Sequence, residues 1–380
     1  MTRVRFIHTS DLQIGMTRWF LGQDQSLFDD SRLAAIRRLG ELATETGSEF
    51  IVVAGDVFEH NSLSERVIGR ALEALRALPV PVYLLPGNHD PLVADNIFRR
   101  TEGVEGVHVV TSTEPLVVSG GDSGGVEIVG APWRSKFPVG DLVRAALEPL
   151  APSSAIRIGL AHGQSESRSS EAVAGLIDLG YVDTKLADGT LDYLALGDTH
   201  STASLGGSGR VWFSGAPETT DFAEQSGGGE NDSGNALVVT IEKEGLTSEV
   251  EVVKHRVGRW SFEALSADLY SAEDIEDFFA RLDAYPEKER TVIKYALSGT
   301  LTLTDTQTLQ QGIETRQPVF AALYERERLM DLHLEPGDDE IEHLSVGGVA
   351  QGALAELFDD PDDPIARDAV NLMFRLAKES

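Results

Sequence analysis

The sequence predicts an α/β protein whose core is a parallel sheet with a second sheet packed on it, followed by a smaller α+β module. Three observations carry this. Apolar, β-prone runs at residues 4–7, 50–54 and 82–85 alternate with amphipathic segments, which gives βαβ order and hence parallel strands. Each of these runs ends on a polar or glycine-containing stretch, where a buried strand gives way to a loop. Further short β-like runs at 107–110, 116–118, 126–129, 156–160, 193–196, 211–213, 236–241 and 248–253 supply strands for the second sheet.

The elements follow in order. Residues 31–44 place Leu33, Ile36, Leu39, Leu42 and Ala43 on one helical face, and residues 64–78 do the same with Val67, Ile68, Ala71, Leu75 and Leu78. Pro79-Val80-Pro81 ends that second helix and opens the third strand. Glycine-rich breaks at 120–125, 206–209 and 227–234 read as surface loops or hairpin tips. Near Arg259-Trp260 the pattern changes: 271–284 reads as a helix, 291–303 as a strand, and patches at 332–334 and 341–344 as its pairing partners. Residues 359–364 break the chain again, and 365–376 present Ile365, Ala369, Leu372, Met373 and Leu376 on one helical face. The expected divisions are 1–260, 261–345 and a helical tail, 346–380.

The chain has 380 residues, no cysteine, and a net charge of −30. Without cysteine neither a disulfide framework nor a zinc–thiolate site can form. The acidity argues against a broad basic surface able to hold DNA by itself, although roughly half of the excess follows Ser261. Met1-Thr2-Arg3-Val4-Arg5 runs straight into a strand, and no uncharged apolar stretch approaches spanning length, so no membrane association and a cytoplasmic location are expected.

The chemistry sits at strand ends. Asp11-Leu12-Gln13, Gly55-Asp56, Gly87-Asn88-His89-Asp90, Ala161-His162-Gly163 and Gly197-Asp198-Thr199-His200 occur in that order, at the edge where open α/β sheets bind ligands. Two divalent ions about 3.5–4 Å apart can clamp a phosphodiester and activate a water. Such a pair needs one bridging carboxylate, further hard oxygen ligands, and imidazoles in the remaining positions. Asp56 is the candidate bridge, because Gly55 lets the chain turn sharply behind the strand. Asn88 offers a neutral amide oxygen, and His162 and His200 offer imidazole nitrogens. His89 is expected to face the phosphate, to protonate the leaving oxygen or stabilise charge. Asp90 is expected either to orient His89 or to close the loop before Pro91.

This order of motifs resembles the calcineurin-like metallophosphoesterase superfamily. The opening Phe6-Ile7-His8-Thr9-Ser10-Asp11-Leu12-Gln13-Ile14-Gly15 is similar to the start of the SbcD-type DNA repair nucleases. Gly55-Asp56-Val57-Phe58-Glu59, Leu85-Pro86-Gly87-Asn88-His89-Asp90 and Ser214-Gly215-Ala216-Pro217-Glu218 extend that narrower likeness. The resemblance implies a two-sheet sandwich flanked by helices with a C-terminal α+β capping domain. It implies one ion on Asp11, Gln13, Asp56 and His200 and another on Asp56, Asn88, His162 and Asp198, with His89 as the catalytic histidine. It further implies Mn2+, with Mg2+ as the alternative, exonuclease and endonuclease action on DNA, and an SbcC-type coiled-coil ATPase partner, a homodimer being open. Trp19, Phe20, Arg18 and Arg134 lie in loops that could touch the strand. Gln13 and Asp198 depart from the usual pattern, standing where histidines are common. The alternatives are a small-nucleotide phosphodiesterase or phosphatase and, because of Gln13, a metal-weakened regulatory subunit of the ATPase complex.

Overall fold

The computed structural model describes residues 1–118, 125–165, 175–224 and 228–334, together with Gly352, Ala353, Leu357 and Ala369. The chain divides into two compact units, Met1–Phe262 and Glu263–Ser380. The first begins with β1 (Thr2–Thr9), α1 (Gln25–Thr46), β2 (Ile51–Val53), α2 (Glu65–Arg76), β3 (Val82–Leu84) and β4 (Val107–Val109). It continues with β5 (Leu116–Val117), β6 (Val126–Gly130), α3 (Leu142–Leu147), β7 (Ile156–His162), α4 (Leu179–Ala187) and β8 (Tyr193–Gly197). Then come β9 (Ala203–Leu205), β10 (Val211–Phe213), β11 (Ala223–Glu224), β12 (Asn235–Glu244) and β13 (Thr247–Arg256).

Two six-stranded sheets result, ordered β13-β12-β1-β2-β3-β4 and β5-β6-β7-β8-β10-β9. Strand alternation distributes the apolar side chains into layers. Val4 and Phe6 of β1 and Val52 of β2 pack against Ile128, Ile158 and Tyr193 of the second sheet. Their neighbours Ile7, Ile51 and Val53 face the other way, onto Ile36 and Leu39 of α1 and Ile68 and Ala71 of α2. On the far side of the second sheet, Val129, Ala161 and Leu196 pack on Val143 of α3 and Val182 of α4. The unit is thus a helix–sheet–sheet–helix sandwich.

Several elements differ from the sequence expectation for identifiable reasons. The strands expected at 107–110, 236–241 and 248–253 belong to the first sheet: β4 extends it beside β3, and β12 pairs antiparallel with β1, Phe6 opposite Val239. β12 is buried on both faces, with Leu237 in the inter-sheet core and Val238 under the helices. Such a strand shows no alternation that would assign it to either sheet. α1 starts at Gln25 rather than at residue 31, because Phe28 packs on Trp260 and Phe262, with ring centroids 5.1 and 5.6 Å away. α3 and α4 carry no readable periodicity, being only 6 and 9 residues long. α2 does begin where its cap predicts, Ser64 Oγ accepting from Val67 N.

In the second unit, β14 (Ser261–Leu269), α5 (Ala272–Asp283), β15 (Thr291–Leu301), α6 (Leu303–Arg316), β16 (Ala322–Glu325) and β17 (Asp331–Leu334) build a sheet with helices. β15 lies parallel to both β16 and β17. The strand expected to reach residue 303 stops at Leu301, where Thr302 caps α6 by accepting from Asp305 N. α6 buries only Leu309, so no apolar stripe announces it. The expected β patch at 341–344, the tail helix at 365–376 and nearly all of 346–380 lie outside the described residues. Among the described residues no helix is long and apolar enough to cross a membrane.

One buried ion pair joins the sheets. Lys243 Nζ of β12 lies 2.8 Å from Asp192 Oδ2 and donates to the Ala155 carbonyl, and both side chains of the pair are buried. Removing one partner leaves an uncompensated buried charge, so Lys243→Met is expected to lower unfolding free energy by about 3–5 kcal/mol. Denaturant titration checks this, and a loss below about 1 kcal/mol would mean that water reaches the pair.

Candidate metal centre

The carboxyl ends of β1, β2, β7 and β8 converge, and the loops that leave them are laced together. Asp11 N donates to the Gly55 carbonyl, Gln13 N to Asp56 and Ile14 N to Val57, each at 2.9–3.0 Å. Three glycines permit the approach. A Cβ on Gly55 would lie 2.2 Å from His162 Nδ1, one on Gly87 2.1 Å from Asp56 Oδ1, and one on Gly197 2.0 Å from the Ala54 carbonyl. Among the described residues, the non-glycine positions with positive φ are Asp11 (52°), Gln13 (40°), Asp56 (52°) and Asp198 (98°). All four are expected metal ligands, and each holds a backbone conformation that costs free energy.

The seven expected ligands come together in two halves that share Asp56. In one half His162 Nε2 lies 3.3 Å from Asp56 Oδ2, 2.9 Å from Asn88 Oδ1 and 3.7 Å from Asp198 Oδ1. In the other, His200 Nε2 lies 3.8 Å from Asp11 Oδ1 and 3.1 Å from Gln13 Nε2. Ligand atoms of Asp11, Asp56 and His162 all fall within 4.8 Å of one another. The remaining bonds fix these groups. His162 Nδ1 donates to the Ala54 carbonyl at 2.9 Å, which leaves Nε2 facing the cluster. His200 Nδ1 is held by Thr220 Oγ1 at 2.5 Å and Glu230 Oε2 at 3.3 Å, with Thr220 itself donating to Glu230. Ser10 Oγ donates to Asp11 Oδ2 at 2.5 Å, and Gln164 Nε2 donates to Asp198.

Crowded carboxylates set the electrostatics. Burial would lower the His162 pKa, but Asp56, with Asp11 and Asp198 beyond it, holds it well above the usual imidazole value. Burial opposes protonation of His200 as well, and is overcome by Glu230 and Asp11, which carry it up to about 9. Burial raises the Asp11 carboxyl above its ordinary range. Carboxylates crowded enough to raise both imidazoles in this way favour positive charge among them, which divalent cations would supply. The donor set fits them: carboxylates, amide oxygens and imidazoles, with no sulfur ligand. Gln13 Oε1 is buried without a hydrogen-bond partner, and such a carbonyl oxygen is what a cation satisfies.

His89 stands at the mouth, with its side chain 39% exposed and Nε2 3.9 Å from Asp56 Oδ2. The expectation that Asp90 orients it is corrected by the geometry. Asp90 is fully buried, with Oδ1 accepting from Gly87 N at 2.7 Å and Oδ2 from Phe58 N at 2.9 Å. Its carboxyl, pushed up to about 8 by burial and by the charge of Asp56, closes the ligand loop. The imidazole is oriented instead by the Glu59 carbonyl, which accepts from Nδ1 at 3.0 Å. Sequence reasoning missed Glu59, Thr220, Glu230, Gln164 and Trp133, whose Nε1 donates to the His162 carbonyl at 2.7 Å. None carries a local signal except Trp133, an indole directly after Pro132 beyond a strand. Of the loop residues expected near a substrate, Trp19 is exposed, while Arg18 donates to the Thr220 carbonyl and Arg134 to the Thr111 carbonyl.

Residues 4–229 match the family model described as calcineurin-like phosphoesterase. The DNA double-strand break repair protein Mre11 of Archaeoglobus fulgidus is 30% identical over 95 residues, 24% of this chain and 20% of that protein. The uncharacterized metallophosphoesterase YhaO of Bacillus subtilis is 25% identical over 215 residues, 54% of this chain and 50% of that protein. The matched stretches therefore span a fifth and a half of those two relatives. Among solved structures, calcineurin-like phosphoesterase YfkN from Bacillus subtilis is 15% identical and covers 67% of this chain and 91% of its own, with a TM-score of 0.42. TT1561 of Thermus thermophilus is 13% identical and covers 66% and 99%, with a TM-score of 0.40.

The charge balance has a measurable consequence in metal-free protein. A histidine whose folded pKa is raised stabilises the fold fully below its ordinary value, 6.5, and ceases to do so as pH rises through about 9. Chelator-treated protein should therefore lose melting temperature between those pH values, and Glu230→Gln should flatten that slope. An unchanged slope in Glu230→Gln would show that His200 is not held protonated by Glu230.

Proposed function

This chain belongs to the calcineurin-like phosphoesterase family, and on that premise we propose that it is a two-metal DNA nuclease of the SbcD type, using Mn2+ and working with an SbcC-type coiled-coil ATPase. The observation that carries the hydrolytic part is the convergence of seven donor side chains in two halves around Asp56, beneath a half-exposed His89. The DNA part is supported by the likeness of residues 6–15 to SbcD-type nucleases and by the similarity to a DNA double-strand break repair protein. The net charge of −30 fits a division of labour in which the ATPase supplies much of the DNA affinity.

Asp11, Gln13, Asp56 and His200 would hold one ion, and Asp56, Asn88, His162 and Asp198 the other. Bound there, the ions supply Lewis-acid polarisation of the phosphodiester and activation of the attacking water. The chain's own contributions follow from its hydrogen bonds. Because the Glu59 carbonyl accepts from His89 Nδ1, the proton at Nδ1 is fixed and Nε2 is the atom that exchanges protons. From the mouth, Nε2 can deliver a proton to the departing oxygen or donate a hydrogen bond to the phosphate as charge develops. Ala54 and Glu230 keep His162 and His200 with Nε2 inward, and Asp90 keeps the loop carrying Asn88 and His89 closed.

The decisive experiment is digestion of end-labelled DNA with Mn2+, run beside a chromogenic phosphodiester. Asp56→Ala should abolish both activities in folded protein, and His89→Ala should retain metal while losing about 10²–10⁴ in turnover. DNA cleavage by folded Asp56→Ala would refute the two-metal reading. Hydrolysis of the small diester without any DNA cleavage would favour a small-nucleotide phosphodiesterase.

The two halves should also fill unequally. Gln13 offers a neutral amide, whereas Asp198 adds a negative charge to the opposite half. Gln13→His should raise activity at limiting Mn2+ by several-fold and leave it unchanged at saturation, as read from activity against metal concentration. A metal-dependence curve that does not move would show that the amide binds as well as an imidazole.

A further inference from the structure

A cavity of about 300 Å³ opens between α1 and α2, against the same loop that carries Asp11 and Gln13. Ile14, Leu33 and Val67 give it apolar walls, and Arg32, Arg66 and Arg70 line it together. Three guanidinium groups on one cavity run against the acidity of the chain. Arg70 has only a solvent-exposed partner, Asp30, at 3.1 Å, a pairing that holds it weakly. Among the described residues Arg66 makes no hydrogen bond or ion pair. Arg32 is 3% exposed, and its Nε has no hydrogen-bond partner. Its other nitrogens reach toward the metal centre: Nη1 donates to the Leu12 carbonyl at 2.7 Å and Nη2 to Met16 Sδ at 3.1 Å. Leu12 is the residue between Asp11 and Gln13, so this guanidinium holds the peptide that joins two of the strained ligands.

We propose that this cavity binds a small organic phosphate of nucleoside monophosphate size, and that Arg32 conveys its occupancy to the Asp11–Gln13 loop. The volume suits such a ligand. The Arg66 and Arg70 forks match phosphate oxygens, the apolar walls accept a flat base, and Asp29 offers an acceptor to a sugar hydroxyl. Gln25 Nε2 already holds the Asp29 carboxylate, at 2.7 Å. A phosphate there approaches the one buried guanidinium that also bonds the ligand loop, so binding alters the charge that Leu12 feels. The cavity is lined by none of the candidate metal ligands, so the binding is independent of the metal centre, whereas the coupling rests on the metal-dependent hydrolysis proposed above.

Calorimetric titration of the full chain with deoxyadenosine 5′-monophosphate tests it. Affinity should fall at least tenfold in Arg66→Ala/Arg70→Ala and remain in Asp56→Ala. Inorganic phosphate should bind at least tenfold more weakly than the nucleotide. In the native chain the nucleotide should shift the Mn2+ concentration for half-maximal hydrolysis of the chromogenic diester at least threefold, with no shift in the arginine variant. Affinity lost in Asp56→Ala but kept in the arginine variant would place the phosphate at the metal centre and overturn the proposal, as would absence of binding. Equal affinity for inorganic phosphate would overturn the ligand class, and an unshifted metal dependence would overturn the coupling through Arg32.

Discussion

The close approach of strand ends at three glycines, two between the sheets and one within the first sheet, is the constraint from which the site follows. Where Gly55, Gly87 and Gly197 lie, even a methyl group would overlap His162, Asp56 or the Ala54 carbonyl. Only that proximity lets a histidine from β7 reach the aspartate behind β2 and the asparagine behind β3. The same crowding forces Asp11, Gln13, Asp56 and Asp198 into left-handed backbone, at about 1–3 kcal/mol each. Strain of that size persists because the two-sheet core on one side and the helix-covered face on the other fix the strand ends. The arrangement of the donor side chains is therefore a property of the sandwich.

The parts of this arrangement that sequence can reveal are those encoded locally. Strand-end position, glycine before aspartate, and the cap at Ser64 are short-range signals, and they point to the seven candidate ligands and to both flanking helices. Groups that act across the fold leave no such trace. Glu230 reaches His200 over 30 residues and the Glu59 carbonyl reaches His89 over the same span; a backbone carbonyl can be supplied by any residue type. Asp90 shows the opposite failure. An aspartate directly after a histidine invites a dyad reading, yet two backbone donors already occupy its oxygens. β12 falls to the wrong sheet in a sequence reading because burial on both faces removes the period-two pattern that would locate it.

The two halves of the centre are supported differently. His162 is enclosed, its Nδ1 tied to a strand carbonyl and its own carbonyl capped by the Trp133 indole. His200 is 26% exposed and depends on a side-chain relay through Thr220 and Glu230. Gln13 adds a buried amide to that half, with its nitrogen 3.1 Å from His200 Nε2 and its oxygen without a partner, and a half turn of the amide would exchange the two. The His162 half is thus held by a backbone carbonyl and a buried indole, and the His200 half by side chains.

The buried Arg32 bonds the loop that carries Asp11 and Gln13. Burial pulls its pKa down to about 10, against the attraction of Glu218, Glu230 and Glu59, and a charge so placed must be held by what surrounds it. Its neighbours are the Leu12 carbonyl, Met16 and the face of Phe28, 4.8 Å below. The first belongs to the ligand loop and the last to the aromatic cluster with Trp260 and Phe262. A single guanidinium therefore links the loop of Asp11 and Gln13 to the packed base of α1 and to the acidic groups behind His200. On the coupling proposed above, a change of charge on the α1–α2 side would reach the Asp11–Gln13 loop first, because Arg32 bonds the Leu12 carbonyl between those two residues.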